Sequence, residues 1–457
     1  MSLFVLLMLL RLPVFISNMG LSLPELNWML VGEKMSEGAI LYKGVKENIG
    51  PLAAFVYWLV DEVVGRSYFT YQLLGALLLF GQAAIFNAML LGNKAYNENS
   101  YVPALIYVIL GLSFYNLSTL SPQLMATTFY LLALNNVYQR IGQKVDDYTI
   151  LRTGLFLGIA IHFHIGGVLF VLATLASLLI FTGTILRRYL LLVYGLLLPF
   201  AFSAAYFYWH DAFNDYSINF LYAPLIDFQE NYYLSVPTLL YIGAVPSVFF
   251  ILSVLKVIQT NRFVNYQQRV QQTMVFVFII CFFMAVVDTE KGSSVLLPFI
   301  VPMAFFITHY LLLIKKRWKQ ELTFALFFLS VLYLSYDSFY QWGLTQDLIQ
   351  TESTLVKPSK YGKWVNGKRI AVWGEDLSAY QEAQLAGPFL NWNISRLQLE
   401  SPAYYDNLST IYAGYYQDLP EVIIDEKNIM PTLSPYIPLL KNHYLRQGNT
   451  PVYLYKR

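Results

Sequence analysis

Apolar runs long enough to approach the ~30 Å hydrocarbon thickness of a bilayer recur along this chain as far as residue 342. Hydropathy marks off about eleven of them: 4–19, 71–91, 101–117, 120–137, 151–165, 168–186, 189–209, 238–257, 273–287, 294–313 and 322–342. The division between the fifth and sixth rests on Gly166 and Gly167. Composition agrees, because 13% charged residues is half the share of about a quarter found in soluble proteins. The chain therefore reads as a polytopic α-helical membrane protein. A net charge of +2 gives no sign of a nucleic-acid partner. The single cysteine, Cys281, lies in an apolar run and argues for neither disulfides nor a thiolate metal site.

The first run lacks the basic start and small-residue cleavage site of a signal peptide, so it is expected to stay as an anchor. Arg11 interrupts it and is expected to pack against protein or snorkel. With the N-terminus in the cytoplasm, alternate loops collect Lys94, Arg140, Lys144, Arg152, Arg187, Arg188, Lys256, Arg262, Arg269 and the KKRWK run at 315–319. This positive-inside pattern puts the first loop, about 20–69, and the C-terminus outside the membrane. Short compact loops suggest the cytoplasmic membrane of a bacterium.

From about Thr345 the chain turns polar. Lys368 to Gly374 and Glu421 to Asp425 read as strands, 451–455 as a third, and 377–385 as a helix. The expected organisation is a transmembrane domain over 1–344 and a small extracytoplasmic α/β domain over 345–457.

The first outside loop concentrates polar chemistry between two apolar runs. Glu25 opens an expected helix (ELNWMLVGEKM), where it is either a reactive carboxylate or a first-turn acid stabilising the helix N-terminus. Lys43 and Lys46 are the nearest cations, with Lys291 in a second short outside loop. Each is either a contact for lipid phosphate or a headgroup-facing lysine. Glu47 either pairs with Lys43 or Lys46 or supplies a second acid. His162 and His164, two residues apart on an apolar run, cannot share a metal on a straight helix, and one of them is a candidate for a substrate groove. The loop at 210–237, with Asp211, Asp215, Asp227, Glu230, Tyr222, Tyr232 and Tyr233, either covers a sugar or forms an interfacial belt. No cofactor is evident. No Asp-X-Asp motif in the first loop asks for a divalent metal.

These parts occur in a recognisable order: one apolar run, an acid-bearing outside loop with Leu41-Tyr42, Asn48-Ile-Gly-Pro-Leu52 and Tyr57-Trp58, then many apolar runs. A late run carries Leu-Pro-Phe-Ile-Val-Pro from Leu297 to Pro302. The arrangement resembles the GT-C superfamily of integral-membrane glycosyltransferases, in its bacterial mannosyltransferase-like and aminoarabinose-transferase-like branch (glycosyltransferase family 39-like). The chain has Glu25 where that branch usually has Asp, Gly50-Pro51 for a double proline, and His162 or His164 for a mid-chain basic residue.

The resemblance implies inverting transfer of a sugar from a polyprenyl-phosphate donor to an outward-facing lipid, glycan or protein. Glu25 would be the base, and Lys43, Lys46, Glu47, Tyr57, Trp58, His164 and Lys291 would contact substrate. A polyprenyl-phosphate leaving group needs no general acid, only a base for the acceptor hydroxyl and positive charge near the phosphate. Two other readings fit the same pattern. One is a non-catalytic membrane subunit docking envelope or secretion proteins. The other is a transporter of a lipid-linked glycan, for which no inverted repeat is visible.

Overall fold

The computed structural model describes residues 2–16, 21–96, 98–142, 146–183, 185–226, 231–260, 263–340 and 354–456. Lys144, Asp227, Glu230, Arg262 and the start of the tail at Thr345 lie outside the described residues. The chain divides into two compact units that do not follow chain order. One comprises Met1–Met19, Phe69–Ser203 and Glu230–Glu352; the other comprises Gly20–Tyr68, Ala204–Gln229 and Ser353–Arg457.

The first unit is helical. Each apolar run contains a helix: Ser2–Ile16, Tyr68–Gly92, Val102–Gly111, Pro122–Ile141, Asp147–Phe163, Val168–Thr182, Leu186–Trp209, Val236–Ile258, Asn265–Val287, Leu297–Leu313 and Arg317–Tyr340. Among the described residues, six segments are long and apolar enough to cross a membrane: Tyr68–Gly92, Ile165–Thr182, Leu186–Trp209, Val236–Ile258, Asn265–Val287 and Ser293–Leu313.

Without a hydrophobic force between helices in lipid, close backbone approach must supply the packing energy. Gly154 and Gly158, one turn apart on Asp147–Phe163, allow that approach. A Cβ at Gly154 would lie 2.0 Å from the Leu192 carbonyl oxygen, and one at Gly158 would lie 2.4 Å from that of Leu196.

The third apolar run breaks off early. Its helix ends at Gly111, and residues 112–121 form buried turns rather than continuing to 117. Non-helical backbone survives inside protein only when its polar groups are satisfied. Arg11 does this. Its guanidinium, 2% exposed, donates to the carbonyls of Ser118 (3.0 Å), Gln72 (3.3 Å) and Tyr115 (3.4 Å) and to the Gln72 side chain. Of the two expectations for Arg11, packing against protein is the one found. The break at Gly166-Gly167 is present as a 3₁₀ turn, Ile165–Gly167, between two helices.

In the second unit, the tail folds around a five-stranded sheet of β1 (Arg369–Trp373), β2 (Gln384–Leu385), β3 (Val422–Asp425), β4 (Tyr444–Arg446) and β5 (Val452–Tyr455). The strand order is β2-β1-β3-β5-β4, with β1 parallel to β2 and β3, and β5 antiparallel to β3 and β4. Ile370 pairs with Val422 and Trp373 with Asp425. Every residue of β3, and all of β1 after Arg369, is buried, as expected for a strand covered on both faces. Helices Trp392–Leu399 and Tyr405–Gln417 contribute Trp392, Leu399, Ile411 and Tyr415 to the core that also holds Trp373 and Ile423. The helix expected at 377–385 is instead a 3₁₀ turn, Leu377–Gln381, succeeded by β2. Asp376 caps that turn by accepting from the Ser378 amide, and pairing with β1 draws Gln384 and Leu385 into the sheet.

Candidate functional site

The first loop contributes two helices to the second unit, Leu23–Ser36 and Pro51–Val64. Ser22, in extended conformation, starts the first helix, with Pro24 in its opening turn and Glu25 at the third position. The buried Glu25 carboxylate accepts through Oε2 from the Ser22 amide (3.1 Å) and the Ser22 hydroxyl (2.7 Å). Both contacts sit where the helix leaves amides unsatisfied. Gly32 lets the two helices meet, since a Cβ there would lie 2.6 Å from the Tyr57 carbonyl oxygen. The Tyr57 ring, fully buried, stacks on Trp28 at 5.8 Å, while Trp58 is half-buried beside Phe55.

Between these helices the backbone is strained at Tyr42, a buried non-glycine residue at φ 70°. It is held there by its hydroxyl donating to the Ile49 carbonyl (2.7 Å) and by its ring packing on Phe207, Tyr216 and Phe220. Tyr216 and Phe220 come from the loop at 210–237, which thus packs against the first loop. Tyr222 and Tyr232 are exposed.

Lys43, Lys46 and Glu47 go to three different environments. Lys43 is exposed, its ammonium 3.4 Å from the His210 carbonyl. Lys46 is buried, donates to the Gln398 side chain and lies 5.1 Å above the Phe389 ring. Burial lowers its pKa to about 8, with Asp215 opposing the shift. Glu47, 1% exposed, makes neither of the ion pairs expected with Lys43 and Lys46. Its carboxylate accepts from Asn391 Nδ2 (2.7 Å), the Asn48 amide (2.9 Å) and Asn27 Nδ2 (3.0 Å). Burial raises its pKa, only partly offset by these donors.

Besides Lys46 and Glu47, which bond Gln398 and Asn391, a charged quartet ties first loop to tail. Lys34 bonds Glu37 (3.0 Å), the Leu385 carbonyl (3.1 Å) and Asp418. Arg369 of β1 closes the ring, with Nη2 2.8 Å from both Glu37 and Asp418. Burial alone would raise Glu37 and Asp418, but the hydrogen bonds and charges of Arg369 and Lys34 win, and both carboxyls sit below their ordinary values. This quartet lines a groove of about 860 Å³, completed by Gly38, Ala39, Ile40, Lys43 and Gly44 from the first loop, and by Gln384, Gly387, Pro388, Gly414 and Gln417 from the tail. The quartet has no sequence signal, because its partners are as much as 384 positions apart.

His164 and Lys291 belong to the first unit. His164 ends the helix Asp147–Phe163 in extended conformation, its Nε2 3.1 Å from Asp288 Oδ2. Asp288 also accepts from the Glu290 amide at 3.1 Å. His162 instead turns back onto its own helix, with Nδ1 2.8 Å from the Gly158 carbonyl oxygen. Lys291 donates to the carbonyls of Ala285 (2.9 Å) and Val286 (2.7 Å), complementing the negative end of helix Asn265–Val287. Among the described residues, no three His, Cys, Asp or Glu side chains gather to hold a metal ion.

The fold has solved relatives. It is similar to the crystal structure of ArnT from Cupriavidus metallidurans bound to undecaprenyl phosphate, with a TM-score of 0.61 and 12% identity over 99% of this chain and 97% of that one. The apo structure of the same protein matches with a TM-score of 0.58 over the same shares. The fold implied by the resemblance, that of an aminoarabinose-transferase-like protein, is the fold found. No curated protein matches the chain. A family model described as a family of unknown function covers residues 52–341, more than half of the chain, and starts after Glu25, Lys43, Lys46 and Glu47. The chain belongs to that family, DUF6427.

Proposed function

We propose that the protein is an integral-membrane glycosyltransferase that moves a sugar from a polyprenyl-phosphate donor to an outward-facing acceptor. The observation carrying this reading is the likeness of fold over 99% of the chain to a protein whose structure holds undecaprenyl phosphate. Hydropathy supports a multi-pass topology of about eleven crossings, short compact loops support a bacterial cytoplasmic membrane, and the asymmetry of basic residues supports an N-terminus on the cytoplasmic side. It leaves loop 20–69 and tail 345–457 on the outer side.

The chemistry asks little of the protein. An acceptor hydroxyl oxygen attacks the anomeric carbon, the bond from that carbon to the phosphate oxygen breaks, and polyprenyl phosphate leaves with the electron pair. The hydroxyl proton passes to a base. Glu25, the carboxylate that the first-loop resemblance puts in the base's role, is the proposed base, held at the helix start by its contacts with Ser22. Lys43, exposed on the same unit, is the proposed cation for the departing phosphate. The test is release of undecaprenyl phosphate from a labelled undecaprenyl-phosphate sugar by the protein in nanodiscs supplied with membrane glycolipids. Absence of release with every donor and acceptor fraction of the native envelope sinks the proposal.

One observation favours a second reading. The Ser22 contacts give Glu25 a sufficient structural reason to exist, as expected of a subunit that keeps a transferase scaffold without the reaction. Such a subunit would tolerate Glu25→Gln with no change in envelope glycans.

A further inference from the structure

The proposed base, Glu25, is not among the residues lining the groove that holds the Lys34–Glu37–Arg369–Asp418 quartet. Its volume of about 860 Å³ falls within the ~300–1,000 Å³ of small-molecule sites. Its chemistry is unusual for such a site. The two cations and two carboxylates of the quartet hold one another, so the wall is close to neutral yet presents charged donors and acceptors. The exposed side-chain amides of Gln384 and Gln417 make no hydrogen bond to another described residue, and each offers a donor and an acceptor. Gly38, Gly44, Gly387 and Gly414 leave the lining without side chains at four further points. Among the described residues no aromatic ring lines it, and Ala39, Ile40 and Pro388 are its main apolar contacts.

A polyanion would ask for unpaired cations, and Lys43 at the rim is the one lining cation that no carboxylate holds among the described residues. An apolar ligand would ask for an apolar lining. Paired charges and free amides instead suit a ligand with many hydroxyls, each able to donate and accept at once.

We infer that this groove binds carbohydrate: the glycan portion of the acceptor. Calling that glycan an acceptor rests on the transferase reading; the binding itself does not. Lys43 belongs both to the groove lining and to the proposed phosphate contact, so a glycan in the groove lies beside the residue that meets the donor. The groove has one wall from the first loop and one from the tail. The quartet sets their spacing, which gives the tail a purpose that a free-standing outer domain would lack.

The experiment uses the full-length protein in nanodiscs on an array of immobilised neutral and acidic oligosaccharides. The wild type is compared with Gln384→Ala/Gln417→Ala and with the groove-filling Gln417→Trp. Native mass spectrometry on the same preparations reads bound undecaprenyl phosphate. Wild-type binding to a subset of glycans, weakened about tenfold or more in both variants at unchanged thermal stability, supports the inference. Absence of glycan binding by the wild type, or binding undiminished in both variants, overturns it. The lipid arm separates the two claims. Undecaprenyl phosphate bound with no glycan bound removes the groove assignment alone. Glycan bound through Gln384 and Gln417 with no lipid bound keeps the groove and removes the transferase reading. Soluble oligosaccharide, glycopeptide and glycolipid competitors then identify which carrier presents the glycan.

Discussion

Replacing Glu25 by Gln separates the two jobs that one carboxylate is asked to do. As a capping group, Glu25 accepts from the Ser22 amide and hydroxyl. Gln keeps a carbonyl oxygen at that place, so those contacts survive and only the charge near the helix N-terminus is lost. That loss is worth ~0.3–1 kcal/mol of stability. As a base, Glu25 cannot be replaced by an amide, and the rate should fall ~10²–10⁴-fold, which is about 3–5 kcal/mol in activation free energy. Ser22→Ala is the reverse perturbation. It removes the hydroxyl contact and costs ~1 kcal/mol of stability, with the base intact. The assay is single-turnover release of polyprenyl phosphate, paired with thermal unfolding of the same nanodisc samples. We expect Glu25→Gln to be folded and inactive, and Ser22→Ala to be less stable and active within a few-fold. An active Glu25→Gln with lowered stability would refute the assignment of the base and leave Glu25 as a capping residue.

The geometry sets three further outcomes. Lys34→Met leaves Glu37, 29% exposed at the side chain, with Arg369, and Asp418, 21% exposed, with Arg369 and the Gly387 amide. The cost should fall between that of breaking buried and surface pairs, at about 2 kcal/mol. A double-mutant cycle with Asp418→Asn should give a coupling of ~1 kcal/mol, and a coupling near zero would show that the quartet is ornamental. The carboxyls of Glu37 and Asp418 sit below their ordinary values. Their stabilisation is therefore present above the unfolded carboxylate range near pH 4 and is lost as pH falls through the lowered folded values. Limited proteolysis of the tail should thus accelerate below about pH 4 and do so less in Arg369→Met, where the shift is reduced at the outset. Finally, Gly154→Val puts a side chain where the Leu192 carbonyl lies 2.0 Å from the Cβ position. It should cost ~1–3 kcal/mol in detergent-titrated unfolding, and an unchanged midpoint would mean that the helices are not packed at that spacing.

Sequence and structure part company for identifiable reasons. Apolar runs, the Gly166-Gly167 break and the helix beginning at Ser22-Leu-Pro-Glu are legible because each depends on neighbours within a few residues. The buried turns at 112–121 are not. Hydropathy counts side chains, whereas those turns are permitted by the Arg11 guanidinium reaching backbone carbonyls more than a hundred positions away. Glu47 reads in the sequence beside its nearest lysines, but tertiary packing gives it the amides of Asn27 and Asn391. The same long reach hides Lys34, Arg369 and Asp418, each of which in isolation looks like a solvated surface charge. His164 and Lys291 stand out in the sequence as polar groups in apolar surroundings. Their partners, Asp288 and the end of a helix, explain their positions without a substrate.

The central claim is sugar transfer from a lipid carrier. Its most direct test is mass-spectrometric profiling of polyprenyl-phosphate sugars and envelope glycans in wild-type, deletion and Glu25→Gln cells, with the abundance of the mutant protein measured alongside. The deletion and Glu25→Gln should accumulate the same lipid-linked sugar and lack that sugar on one class of envelope molecule. Unchanged lipid-linked sugars and glycans in the deletion, with altered envelope protein assembly instead, would contradict it.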